Sequence, residues 1–479
     1  LIAASQAKTV GLIYRFSKPS AHFSYRLQIK GTVKKHGHWV TRWKLVKEVK
    51  KHGHFKGTKS MTVRKLFAGK PVNLGSYRLR LSADRGSKTL PFRVIKAKKM
   101  TQISAGSGFT CALRSNRTVW CWGENDSAEL GNDEYSNTMI DYIPFPVEVP
   151  GISTATRIAA GADASHTCAL LQDGKIECWG ADGYGELGGG TPYDGGGGLP
   201  PIEVKVIQTA TQIAAGTDHT CAVLSDGRLE CWGHNNYGQL GDGVTDHGNG
   251  SEFGDFSPTA VEAKGISNAT QVSAGYQFTC ALLSDGTVRC WGLNNVGQLG
   301  DGVSDHGNRL YGNDFSPIPV EVTGISTATR VAVGFSHACA LLSDGKIECW
   351  GLDNSGQLGD GPVPTYSTAT PVEVKGISTA TQIAAGGFST CARLSSGKVE
   401  CWGDNGFGQL GNGSIDEYGI STPVEVKGIS TATQVTAGDF HTCALLSGGR
   451  VDCWGVNGSG QLGDGSTKGS STPIEVTGM

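Results

Sequence analysis

The triplet Cys-Trp-Gly recurs seven times in this chain, with its tryptophan at Trp122, Trp179, Trp232, Trp291, Trp350, Trp402 and Trp454. Successive copies lie 52 to 59 residues apart. Each repeat holds about four short strand-like runs divided by turn residues. In the second repeat they are Val147–Val149, Arg157–Ala160, Thr167–Leu171 and Lys175–Trp179. Four strands at a period near fifty residues is the signature of a propeller blade. A solenoid of that period would need helices or capped ends, and the sequence offers neither. The expected fold is all-β, a seven-bladed β-propeller over residues 100–479. Glycine, at 71 residues, is about twice as common as usual, which suits a chain that turns so often.

The two ends suggest how the ring closes. The first repeat starts at Thr101-Gln-Ile-Ser with no Pro-Val-Glu-Val run directly before it, and Thr472-Pro-Ile-Glu-Val476 follows the last repeat. If each such run opens its own repeat, the last one is an orphan. The sequence therefore predicts that this C-terminal strand joins the first blade and removes both open edges.

All 14 cysteines fall inside the repeats, two per repeat and ten positions apart. The pairs are Cys111 with Cys121, Cys168 with Cys178, Cys221 with Cys231, Cys280 with Cys290, Cys339 with Cys349, Cys391 with Cys401, and Cys443 with Cys453. Between Cys168 and Cys178, Gln172-Asp173-Gly174 fits a three-residue hairpin loop with Gly174 left-handed. Counting outward from it sets the two cysteines opposite each other, within reach of a disulfide. Buried free thiols and zinc are the competing readings. Zinc needs four ligands, and one repeat offers two. Seven disulfides with no thiol left over imply an oxidising compartment. The first repeat has Asn116-Arg117 where others have Asp-Gly, so a looser turn is expected there.

These motifs resemble the regulator of chromosome condensation repeat family. The matching residues are Ser165-His-Thr-Cys168, Asp218-His-Thr-Cys221 and Phe440-His-Thr-Cys443, with Trp232–Gly241, Trp291–Gly300 and Trp454–Gly463. The resemblance covers about residues 100–479 and implies a seven-bladed propeller. It says little about function, because one fold hosts many. Photoreceptor members use tryptophans in a Gly-Trp-Arg-His-Thr context that is absent here, so the repeated tryptophan reads as a structural body between blades. The histidine before Thr-Cys reads as a core residue, since Phe109, Phe278 and Ser389 replace it in other repeats.

Charge divides the chain near Lys99. Residues 1–99 hold 25 of the 42 Lys and Arg but only two of the 43 Asp and Glu, Glu48 and Asp84. A break this abrupt marks a domain boundary. Within 1–99, two-residue alternation predicts six strands: Leu12–Phe16, Phe23–Ile29, His38–Val46, Met61–Leu66, Ser76–Leu81 and Leu90–Ile95. That is enough for a small basic β-sandwich. Gly75–Ala83 with Leu90–Val94 resembles immunoglobulin-like modules of bacterial exported proteins. His36-Gly-His38 and His52-Gly-His54 read as hairpin turns. Leu1–Ala7 reads either as the tail of a secretion signal or as a first strand. No run of 18 apolar residues predicts a membrane span.

Insertions in repeat proteins collect on one face. Here the variable segment always lies between Gly-Gln-Leu-Gly and Pro-Val-Glu-Val. Six of the seven loops carry aromatics: Tyr135 and Tyr142, Tyr193, Phe253 and Phe256, Tyr311 and Phe315, Tyr366, and Tyr418. They serve either as binding anchors or as pins that hold their own loops. Two loops are near copies, with Asp246, Asn249 and Asp255 in one and Asp305, Asn308 and Asp314 in the other. Calcium is the only cofactor these oxygen donors suggest, though the Asp-x-Asp spacing of a calcium loop is missing.

No nucleophile elbow, phosphate loop or His-Glu-x-x-His motif is present, so the expectation is a binding protein and not an enzyme. The expected place is secreted or at a cell surface, and the expected partner a protein or a surface glycan. An extracellular setting argues against nucleic acid, and disulfides argue against the nucleotide-exchange role of nuclear family members. Two alternatives stand: a structural subunit of a filament or surface layer, joined through the basic domain and the acidic propeller, and a glycan-acting enzyme.

Overall fold

The computed structural model describes residues 99–478 except 133–141, 162–163, 193–197, 249–253 and 363–365; of residues 1–98 it describes the strands alone. Leu1–Lys98 fall in one compact unit and Lys99–Val476 in another.

The first unit shows one five-stranded sheet. Gly11–Lys35 and His38–Thr62 pair antiparallel over almost their whole length, with Lys35 opposite His38. Gly75–Ala83 adds to the first of them, Gly86–Ile95 to that strand, and Ile2–Ala3 lies parallel beyond. The runs Leu12–Phe16 and Phe23–Ile29 are thus parts of one strand, whose register shifts between Phe16 and Ser20. His52-Gly-His54 lies inside a strand, with His52 opposite His22, and is not a turn. The end of the run Met61–Leu66 lies outside the described residues, and so does the His36-Gly37 step.

The second unit is seven four-stranded blades at 100–148, 155–203, 210–262, 269–321, 328–373, 380–425 and 432–475. The fourth gains a fifth short strand, Arg309–Leu310, from its loop. Within each blade the strands pair antiparallel in chain order. In the third these are Ala210–Ala215, His219–Leu224, Leu229–His234 and Phe256–Glu262. The innermost strands of all seven blades line an axial cavity of about 220 Å³.

Each blade is therefore one contiguous stretch of chain, which corrects the closure expected from sequence. Ser470–Glu475 pairs with Val451–Gly455 of its own blade, Ile474 lying opposite Cys453. Blade one takes Tyr142–Glu148 as its outer strand in the same way. The Pro-Val-Glu-Val run ends each repeat instead of opening it, so none is an orphan. A period read from sequence has no intrinsic starting point, and the choice of phase created the apparent exchange.

Side chains close the ring in place of a shared strand. Every Cys-Trp-Gly indole is fully buried and donates its N–H to a carbonyl of the preceding blade. Trp232 bonds to Glu186, Trp291 to Gln239, and Trp122 across the seam to Gln461, each at 2.8–2.9 Å. The last glycine of Gly-Gln-Leu-Gly makes room for this ring. At Gly463 (φ +67°), a Cβ would lie 2.6 Å from the Trp122 indole nitrogen. A second set uses glutamine as a surrogate peptide group. Gln434 Nε2 donates to Ile103 O at 2.8 Å, and Ile103 N–H donates back to Gln434 Oε1 at 2.9 Å. Gln102, Gln212, Gln271 and Gln382 do the same for their next blades. Arg157 and Arg330 hold this position in blades two and five. These bonds satisfy inner-edge backbone groups that would otherwise lack partners.

The seven cysteine pairs are disulfides, with Cα atoms 4.0–4.1 Å apart and directly opposed in register. The hairpin between Cys168 and Cys178 has the expected form: Leu171 faces Lys175, and Gly174 has φ +84°. Blade one does not loosen. Arg114 N–H bonds to Thr118 O, as Leu171 N–H bonds to Lys175 O, and Arg117 takes the left-handed angle at φ +67°.

His166, His219, His337 and His441 are buried between blades, each with Nε2 2.8–2.9 Å from a threonine hydroxyl of the next blade. Those hydroxyls donate to backbone carbonyls, as Thr279 does to Gln239 O, so the ring Nε2–H donates to the threonine. Burial holds these imidazoles neutral, with pKa values near 4, or about 3 for His219. Where Phe278 replaces histidine, the residue facing it on the next blade is Ala338 instead of threonine.

Candidate binding face

Antiparallel strands in chain order put the first and third connections of every blade at one end and the second connection, with the crossing to the next blade, at the other. The variable segments are third connections, so all seven share one end, here called the upper face. The lower face carries the Asp-Gly hairpins and ion pairs within blades: Lys175 to Glu203, Lys346 to Glu373 and Lys398 to Glu425 at 2.7–2.8 Å. Such exposed pairs contribute little stability.

The structure divides the loop aromatics between the two roles. Phe256 and Phe315 are buried and pin their loops. Phe256 pairs with His234 in register. Phe315 packs with Tyr237, ring centroids 5.9 Å apart, and with Leu293. Tyr142 is half-buried at the start of an outer strand, opposite Glu124. Tyr311, Tyr366 and Tyr418 project, at 88%, 64% and 89% exposure. Tyr135, Tyr193 and Phe253 lie outside the described residues.

The twin loops commit their carboxylates to histidine, a role the sequence reading missed. In loop three His247 is clamped by Asp242 at 3.0 Å and Asp255 at 2.9 Å. Asp255 also accepts from Asn235, and Asp246 caps Gly248. In loop four His306 sits between Asp301 at 2.8 Å and Asp314 at 2.6 Å, Asp314 accepting also from Asn294. Asp305 takes Arg309 and the Gly307 N–H, and Asn308 donates to His306 O. Asn249 lies outside the described residues. Hydrogen bonds donated to the flanking aspartates raise both imidazoles to about 9, so each loop carries an internal cation near neutral pH. The repeated Asp-x4-His-x7-Asp spacing was the available signal.

The first connections carry a feature with no sequence counterpart above. Tyr276, Phe335, Phe388 and Phe440, from blades four to seven, stack in series where the inner strands end. Their centroids are 4.3, 5.4 and 6.5 Å apart with interplanar angles of 7°, 27° and 27°. Phe407 closes the row edge-on to Phe440 at 5.2 Å and is 50% exposed. Acids stand on this face as well, including half-exposed Asp404 at the blade-six position that Glu124 holds in blade one. Half-exposed Glu124 and exposed Asp126 stand on blade one and half-exposed Asp218 on blade three, while Asp182 and Glu186 of blade two are buried. Burial, followed by Asp126, raises the Glu124 carboxyl. Glu186 is pushed up to about 8, mainly by burial and also by Asp218 and Asp182.

The RCC1-like domain matches residues 74–378 and, overlapping, 208–479. The chain belongs to the RCC1-like domain family. It is 31% identical to the ultraviolet-B receptor UVR8 of Arabidopsis thaliana over 376 residues, 77% of this chain and 80% of that one. It is 28% identical to the mouse regulator of chromosome condensation over 403 residues, 81% and 79% of the two chains. Human WBSCR16 superposes with a TM-score of 0.64 at 21% identity, covering 75% of this chain and 94% of its own. Yeast RCC1 (Prp20), in its complex with Kap60, gives 0.60 at 21% identity, covering 80% and 90%. These RCC1-like relatives fix the all-β, seven-bladed propeller. Among the described residues no helix is long and apolar enough to cross a membrane.

Proposed function

We propose that this chain is a non-catalytic binding protein of an oxidising compartment, secreted or held at a cell surface, that grips a protein partner with the upper face of its propeller. The observation that carries the reading is the set of projecting tyrosines at that one face, Tyr311 and Tyr366 on loops and Tyr418 near the start of an outer strand. Tyrosine supplies large contact area at small entropic cost and is common among binding hot spots. Protein as the partner class is supported by the relatives, one of them a regulator of chromosome condensation and another, of the same fold, a yeast protein with Kap60 bound. Seven disulfides without a free cysteine in the chain support the oxidising compartment.

The test is capture of partners from the source's surface fraction by the full chain and by a Tyr311→Ser, Tyr366→Ser, Tyr418→Ser variant. Loss of the captured protein with the triple variant, and its retention by Lys175→Ala with Lys346→Ala, is expected. Equal capture by all three sinks the reading. Glycan turnover that disappears in Glu186→Gln would place the chain among enzymes instead. Protein isolated from its native location should weigh 14 hydrogens less than its reduced form.

A second reading, self-association into a surface assembly, is favoured by the opposed charges of residues 1–99 and the propeller. Such contacts weaken once salt screens beyond about 8 Å, so light scattering that stays monomeric at low and high salt removes it.

A further inference from the structure

The upper mouth combines two kinds of surface. Blades four to seven give the stacked row Tyr276, Phe335, Phe388 and Phe440, ended by half-exposed Phe407. Rings stacked on one another cover their faces and turn their edges outward, so the row offers an apolar ridge and few open faces. A sugar stacks on a ring face, and a ridge of edges suits it poorly. An aliphatic side chain packs well against such edges. Blades one and three supply half-exposed Glu124 and Asp218 and exposed Asp126, blade six adds half-exposed Asp404, and residues 100–479 are acidic overall. An anion would be repelled here, and a cationic group would be attracted.

We propose that this mouth is a docking site for a basic segment of a partner protein, with an aliphatic anchor on the aromatic row and flanking Lys or Arg side chains on these carboxylates. The proposal rests on the reading that the upper face binds protein, and it names the partner's chemistry. The two surfaces have separate duties. The row sets which anchor fits, and the carboxylates set orientation and association rate. The raised Glu124 carboxyl agrees with it, because a cation placed beside it would return it toward the ordinary range.

The experiment uses the full chain and three synthetic nine-residue probes read by fluorescence anisotropy. One has a leucine pair flanked by arginines, one has arginines around a serine pair, and one has the leucine pair flanked by glutamates. The leucine–arginine probe should bind at least tenfold more tightly than either control. Its affinity should fall at least tenfold in Phe335→Ser with Phe388→Ser and also in Glu124→Gln with Asp218→Asn. The second variant replaces each carboxylate by its isosteric amide, so it tests the site even if the first fails to fold. Equal affinity for the leucine–arginine and serine–arginine probes would reduce the site to general attraction and overturn the proposal. So would binding of a cello-oligosaccharide that is lost in the Phe335 variant. If the projecting tyrosines still decide partner capture while the probes fail, the upper face remains the binding face and this inference alone falls.

Discussion

Replacing His219 by phenylalanine should trade stability at neutral pH for stability in acid. The site accepts the new ring, because Phe109 and Phe278 occupy the equivalent position in blades one and four and are buried there. At pH 8 the variant loses the Nε2 bond to Thr279, 2.8 Å long, at a cost of about 1 kcal/mol; Thr279 keeps its own bond to Gln239 O at 2.9 Å. Acid reverses the balance. Burial, followed by the charges of His234 and His166, lowers His219 from 6.5 to about 3. A folded value below the unfolded one means that the stability due to a neutral imidazole is whole above pH 6.5 and drains away as pH falls toward 3. At pH 5 the unfolded chain already holds the proton and the folded chain does not, which costs the wild type about 2 kcal/mol relative to pH 8. The variant does not bear that cost. It should be about 1 kcal/mol less stable than wild type at pH 8 and about 1 kcal/mol more stable at pH 5. Urea unfolding followed by tryptophan fluorescence, disulfides intact, measures both. Carboxyls such as Glu186, raised to about 8, stabilise at low pH and lose that effect as pH rises, but they are present in both proteins and cancel in the difference. Parallel pH profiles for the two proteins would refute the argument.

Three other outcomes are expected. Arg157→Gln should restore the glutamine clamp missing between blades two and three and raise the urea midpoint by about 1 kcal/mol equivalent, while Gln434→Met at the seam and Gln382→Met inside the ring should cost about 1–2 kcal/mol and match each other; a seam variant with no effect would mean the ring opens there. Gly463→Ala should cost at least about 2 kcal/mol, combining a left-handed angle with the approach to Trp122, and thermal unfolding unchanged from wild type would contradict it. His247 and His306 should titrate near pH 9 by NMR; since those values lie above 6.5, their stabilisation is whole below pH 6.5 and fades as pH rises through 9, and Asp255→Asn should lower the His247 value.

Blade number and cysteine pairing were legible because both follow from local spacing: a ten-residue hairpin fixes which residues oppose, wherever the hairpin sits in space. Blade phase was not legible, because whether Pro-Ile-Glu203 belongs with the strand before it or after it depends on which edge it meets. One clue lay in the charges, since Lys175 and Glu203 now form an ion pair across that edge. Among the loop aromatics, composition could not tell buried Phe315 from exposed Tyr311, four residues earlier. The stacked row escaped notice because its position slides: Tyr276 and Phe335 directly follow the glycine that ends the inner strand, while Phe388 and Phe440 come one residue later. Only the closed ring brings them side by side.

The sequence separation of ten in every disulfide has a consequence for how the molecule is made. Each cysteine's proper partner is its nearest neighbour along the chain, and the pairs never interleave. A polypeptide threading N-terminus first into an oxidising space presents Cys111, then Cys121, then Cys168, so order of arrival alone sorts correct bridges from wrong ones. A blade can be sealed before the next has emerged, and a propeller with 14 thiols places little demand on an isomerase.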